Sequence, residues 1–75
     1  MGLIEAQRFM KASRVMAGLT QEEVAEKLGV ARNTIVYYEN NPWSISLEKF
    51  VLLKELYGQK FADDFFSQKV YKKYN

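Results

Sequence analysis

Two groups of side chains in this 75-residue sequence have types and spacings suited to chemistry, and each suits a different kind. The first is acidic: Glu22, Glu23 and Glu26, with Asp63 beside Asp64 further along. Carboxylates grouped in this way can act as acid–base pairs or as oxygen ligands for a cation. The second is Arg32, Asn33, Val36 and Tyr37. A guanidinium bonds guanine in two places, an amide does the same with adenine, and a branched apolar side chain sits against a thymine methyl. That second chemistry is recognition.

The acidic reading fails on geometry and composition. Asp63 and Asp64 are neighbours that diverge on a helix, a poor acid–base pair. The three glutamates suit a solvated helix start, where negative charge meets the positive end of the dipole. With no Cys and no His, disulfides, thiolate and imidazole metal sites and the Ser–His and Cys–His nucleophile pairs are all excluded. A chain of this length buries only about 60% of the surface its unfolded form exposes, which leaves little with which to enclose a substrate. No enzyme, metal or cofactor is expected.

Eleven Lys and Arg against nine Asp and Glu give a net charge of +2, with a pI near 8.9. This mild basicity falls short of the concentrated charge that announces nucleic acid unaided. No apolar run approaches the ~18 residues of a membrane span. In residues 1–19 Glu5, Arg8, Lys11 and Arg14 interrupt what would be the apolar centre of a signal peptide. Gly2 is followed by Ala6 where a myristoylation motif needs Ser or Thr. The expectation is a single cytoplasmic, nucleoid-associated domain spanning residues 1–75.

The elements that would position the second group are helices. Leu3, Ala6, Met10, Ser13 and Ala17 recur at three- and four-residue spacing, with Phe9 and Met16 beside them, and Gly18 supplies a left-handed cap. Thr20 and Glu23 form a capping box at the start of a second helix, with Val24, Ala25 and Leu28 inward and Gly29 as its stop. A third helix is predicted over about residues 32–39 with Ile35 and Tyr38 inward. The break after it, Asn40-Asn41-Pro42, holds two residues that tolerate the left-handed conformation. Ser46 caps a fourth helix over 47–57, whose buried face would use Leu47, Phe50, Val51, Leu53 and Tyr57 before Gly58 closes it. Phe61, Phe65 and Phe66 suggest a short fifth helix, and the chain turns polar and basic over 67–75. The fold class is all-α, a compact bundle of about five short helices.

Residues 21–40, QEEVAEKLGVARNTIVYYEN, place two helices of about eight residues on either side of Gly29-Val30-Ala31. So short a link forces a steep crossing, the geometry of a helix-turn-helix. Gly29 permits a positive φ, Ala25 is small where the third helix presses closest, and Val30 plugs the turn. Arg32, Asn33, Val36 and Tyr37 are left on the free face of the third helix. A face that met only water would carry Glu, Lys and Gln instead of Val36 beside Tyr37.

These residues resemble the phage-repressor and Cro-like helix-turn-helix domains, the xenobiotic-response-element (XRE) family, which have a lambda-repressor-like fold. The resemblance rests on Arg14, on Gly18-Leu19-Thr20-Gln21-Glu22-Glu23-Val24-Ala25, on Leu28-Gly29-Val30, and on Thr34-Ile35 with Tyr38-Glu39. Pro42 and Ser46-Leu47-Glu48 echo a later helix start of the family, and the similarity covers about residues 6–66. It implies that Gln21 holds a DNA phosphate at the N-terminus of the second helix. It further implies that Arg32, Asn33, Val36 and Tyr37 enter the major groove, and that Asn40 and Asn41 in the loop touch the opposite strand's phosphates. Arg14 and Glu39 would pair inside the domain. The sequence departs from the family at Ala31, where a capping Ser or Thr is common, and at Ser13, Lys54 and Asn41.

Charge limits what one copy can do. Residues 21–28 carry three Glu against Lys27, so only about two or three phosphates would be neutralised per subunit, for a log–log salt slope of roughly −2 to −3. Double-stranded DNA is therefore the expected partner, bound by a homodimer on a palindrome and occupied as a repressor occupies an operator. Two alternatives share the fold. One is the antitoxin half of a toxin–antitoxin module, contacting a protein partner through residues 61–75. The other is a protein-interaction or anti-repressor module without DNA binding.

Overall fold

The computed structural model describes residues 2–67, and the tail positions 68–75 named above lie outside the described residues. Five helices follow one another: α1 Leu3–Met16, α2 Gln21–Leu28, α3 Arg32–Asn40, α4 Leu47–Tyr57 and α5 Gln59–Ser67. A single 3₁₀ turn, Pro42–Ser44, bridges α3 and α4, and no strand occurs among the described residues. The helix boundaries follow local chemistry. The Thr20 hydroxyl accepts from the Glu23 N–H at 3.1 Å while the Glu23 carboxylate accepts from the Thr20 N–H at 2.8 Å, closing the capping box. Ser46 Oγ accepts from the Lys49 N–H at the start of α4.

The core is a mixed aliphatic and aromatic cluster. Ala6 and Met10 of α1 meet Val24, Ala25 and Leu28 of α2, Ile35 of α3, Phe50 and Leu53 of α4, and Phe61, Ala62 and Phe65 of α5. Aromatic rings knit its lower half. Phe9 stacks on Phe61 with centroids 5.6 Å apart, Tyr57 meets Phe61 edge-on at 5.1 Å, and Phe50 lies 4.9 Å from Phe65. Such pairs add about 0.5–1.5 kcal/mol each beyond their buried area. Burial pushes the Tyr57 phenol far above its usual ionisation range, reinforced by the negative charge of Glu39, so this ring stays neutral.

Two expectations are corrected. Leu47 and Val51 were placed on the buried face of α4, yet they are 75% and 46% exposed while Phe50 and Leu53 are buried. Apolar residues run round most of this helix, so periodicity does not choose the inward stripe; the positions of α1, α2 and α5 choose it. Asn41 does not enter the left-handed region. Its backbone is extended at φ −136°, and its side-chain amide donates back to the Tyr37 carbonyl at 3.0 Å. The loop then tightens through the Asn41 carbonyl, which accepts from the Ser44 N–H and hydroxyl. Of the three phenylalanines near the end, Phe61 and Phe65 are core residues and Phe66 remains partly exposed.

Candidate nucleic-acid interface

The turn between α2 and α3 carries the geometry of the candidate site. Gly29 ends α2 at φ 71°, a left-handed backbone in which a side chain would be strained. The Val30 N–H then donates to the Ala25 carbonyl at 3.0 Å, and the chain restarts as α3 two residues later. Helices α2 and α3 form the most extensive packing of any pair in the bundle. Ala25 and Ile35 are buried, so one face of α3 is packed into the bundle and its opposite face is turned outward.

That outward face carries Arg32 and Asn33, both exposed, with Val36 half-buried and Tyr37 56% exposed. All four sequence-predicted base-reading residues therefore share one accessible strip. Ile35 is buried, Thr34 and Tyr38 are half-buried, and Tyr38 packs against the core. The start of α3 is uncapped. Ala31 takes the extended N-cap conformation but offers no side-chain acceptor to the first turn.

Beneath this strip runs a polar chain that sequence spacing does not reveal in full. Arg14 Nε donates to Glu39 Oε2 at 2.6 Å, and Arg14 Nη1 donates to the Leu19 carbonyl at 3.0 Å. Both residues are buried. Gln21 Nε2 donates to Glu39 Oε1 at 3.1 Å, and Gln21 Oε1 accepts from Arg32 Nη2 at 3.0 Å. Arg32 Nε also lies 3.4 Å from a Glu22 carboxylate oxygen. An unbroken path thus leads from a buried ion pair, through Gln21, to a surface guanidinium. Every buried side-chain nitrogen or oxygen among the described residues has a partner.

This path changes how Gln21 is read. Its side-chain amide is engaged on both sides within the chain, while the Gln21 and Glu22 N–H groups that open α2 have no intrahelical acceptor. Asn40 and Asn41 also divide. Asn40 is exposed at the last turn of α3, and its carbonyl accepts from Gln7 Nε2 at 2.9 Å. Asn41 is half-buried and organises the loop through the bonds described above. Gln7, which links α1 to the end of α3, had no sequence signal beyond its polarity. No group of three or more Cys, His, Asp or Glu able to hold a metal occurs among the described residues. No helix among them is long and apolar enough to cross a membrane.

Comparison with known proteins agrees with this geometry. A family profile described as helix-turn-helix matches residues 10–63, from the middle of α1 into α5. The chain is 38% identical over 56 residues to an uncharacterized HTH-type transcriptional regulator of Methanocaldococcus jannaschii, covering 75% of this chain and 85% of that protein. It is 42% identical over 50 residues to the cryptic phage CTXphi transcriptional repressor RstR of Vibrio cholerae, covering 67% of this chain and 45% of that one. It is 46% identical over 41 residues to the antitoxin HipB of Escherichia coli, covering 55% of this chain and 44% of that one. No solved structure matches.

Proposed function

Because the chain belongs to the helix-turn-helix family of DNA-binding transcriptional regulators, we propose that it is a cytoplasmic repressor that occupies operator DNA as a homodimer. The observation that carries this reading is the accessible strip on α3. Arg32, Asn33, Val36 and Tyr37 lie together on a helix that packs against α2 from behind. Inserted in the major groove, Arg32 would take a guanine edge, Asn33 an adenine edge and Val36 a thymine methyl, with Tyr37 reaching a base or phosphate. The N–H groups that open α2 at Gln21 would receive one phosphate, while Asn40 and the loop at Asn41 would approach the other strand. The protein performs no bond chemistry in this reading and acts by occupancy.

Binding-site selection with the purified chain tests it. The expected result is an enriched sequence with two-fold symmetry and half-sites about one helical turn apart. Arg32→Ala and Tyr37→Ala should relax preference at particular positions, each by about 1–3 kcal/mol per lost base contact. Absence of any enriched sequence, with both variants behaving as the parent, would overturn the reading.

A second reading, as an antitoxin with a protein partner, is favoured by the likeness to HipB. The aromatic residues first assigned to that contact now divide, since Phe61 and Phe65 build the core. Its test is co-purification with the product of the adjacent gene, comparing the full chain with one ending at residue 67. A partner held equally by both forms would exclude the contact from residues 68–75.

A further inference from the structure

Helix α3 and helix α2 together are poorly charged for a DNA-binding surface. Residues 21–28 are net negative, and on α3 Arg32 is the sole cation, opposed by Glu39. Among the described residues the net positive charge sits instead on α1, where Arg8, Lys11 and Arg14 face a single acid, Glu5. Arg14 is consumed by Glu39. Arg8 and Lys11 are exposed and make no ion pair among the described residues.

The fold brings these two cations to the end of the recognition helix. Ile4, Gln7, Arg8 and Lys11 line a hollow of about 210 Å³, closed on its far side by Glu39 and Asn40 of α3. Positions 4, 8 and 11 fall on one face of α1 by helical spacing. A helix C-terminus ordinarily repels anions because its last carbonyls are unsatisfied. Here Gln7 Nε2 donates to the Asn40 carbonyl at 2.9 Å and covers that oxygen. The Glu39 carboxylate in the hollow's wall is already paired with Arg14 and receives the Gln21 amide. The hollow is therefore left with two uncommitted cations, and its one carboxylate is already paired.

We propose that this hollow is a second phosphate-binding site, in which Arg8 and Lys11 hold a phosphate of the DNA backbone beyond the one reached by Asn40. The site rests on the DNA-binding reading given above and extends it. It supplies non-specific attraction that α2 and α3 lack, and Gln7 is its positioning residue, holding α1 against the end of α3. Phosphate contacts of this kind set register and affinity without adding base preference.

The experiment is titration of an enriched duplex at several salt concentrations with the full chain, Arg8→Gln/Lys11→Gln, and Lys54→Gln. Lys54 is exposed on α4 and lies outside the hollow. The double variant should keep the parent's sequence preference. Its log–log salt slope should be shallower by about one per subunit, with affinity roughly tenfold weaker near 0.1 M salt. Lys54→Gln should leave the slope as it is. An unchanged slope in the double variant overturns the α1 site, and so does an equal change in Lys54→Gln, which would reduce the effect to net charge. Arg32→Ala in the same titrations separates the two readings. If it loses base preference while the double variant does nothing, the α1 site alone falls; if it binds as the parent does, recognition by α3 falls.

Discussion

Arg14 Nε and Glu39 Oε2 stand 2.6 Å apart between α1 and α3, both buried, and the same carboxylate receives the Gln21 amide from α2. One ion pair therefore ties three helices together directly behind the strip that would face DNA. Removing either member leaves the other charged and unpaired in a low-dielectric site, at a cost of about 3–5 kcal/mol. Arg14→Met combined with Glu39→Leu should cost much less than the two single changes summed, because no buried charge remains. Denaturant unfolding of the singles and the double measures this. Additive costs would show that the pair does not act as a unit.

The uncapped start of α3 predicts a gain. Ala31 has the extended N-cap conformation but no side-chain oxygen. Ala31→Thr should stabilise the fold by about 1 kcal/mol, raising the melting temperature by roughly 4–8 °C for a domain of this size. Thermal unfolding reads the result directly. A lowered melting temperature would mean that the turn has no room for the hydroxyl.

In the proposed complex Glu22 would compete with DNA for Arg32. The two lie 3.4 Å apart with most of both side chains in water, a pair worth at most about 1 kcal/mol. Glu22→Gln should change stability by less than about 0.5 kcal/mol while strengthening DNA binding, most clearly at low salt where exposed charges are least screened. Equal affinities at low and high salt would remove Glu22 from the interface.

The capping box sets a pH dependence. The Thr20 N–H, and to a lesser degree its hydroxyl, hold the Glu23 carboxyl below its ordinary 4.5. A carboxyl with a depressed folded-state pKa contributes stability that is present above the ordinary value and is lost as pH falls through the lowered one. Glu23→Ala should therefore melt below the parent at neutral pH, with the gap narrowing under about pH 4. Melting curves across pH 2–7 check the sign; a gap that widens in acid is the opposite outcome.

Helix α4 offers a contrast between two leucines six residues apart. Leu53 is fully buried and Leu47 is largely in water. Leu53→Ala should cost about 2–5 kcal/mol and Leu47→Ala less than about 0.5 kcal/mol. Comparable losses in chemical denaturation would mean that Leu47 has a packing partner in solution.

The sequence by itself determined the helices and the turn at the centre of the protein. Local signals did this, because each acts over four or five residues: the Thr20–Glu23 box, the left-handed Gly29, the Ser46 cap, and apolar spacing in α2 and α3. It also determined most of the outward face of α3. On so short a helix, assigning Ile35 inward places Asn33 and Tyr37 opposite it by helical angle alone, whereas the exposure of Arg32, one turn before Ile35, comes from its place at the helix start.

Tertiary structure decided what depends on partners distant in the chain. Whether Leu47 or Leu53 faces the core could not be read from α4, since apolar residues on most sides leave its periodicity without a preferred direction. That Asn41 would bond back to Tyr37, and not turn left-handed, was settled by the geometry of the loop and not by residue preference. The commitment of Gln21 to Glu39 and Arg32, and the meeting of Gln7, Arg8 and Lys11 with Asn40, join residues 11 to 33 positions apart. Hydrogen bonds and charge act through space, so only the packed arrangement of α1, α2 and α3 could reveal which polar groups are occupied and which remain available to DNA.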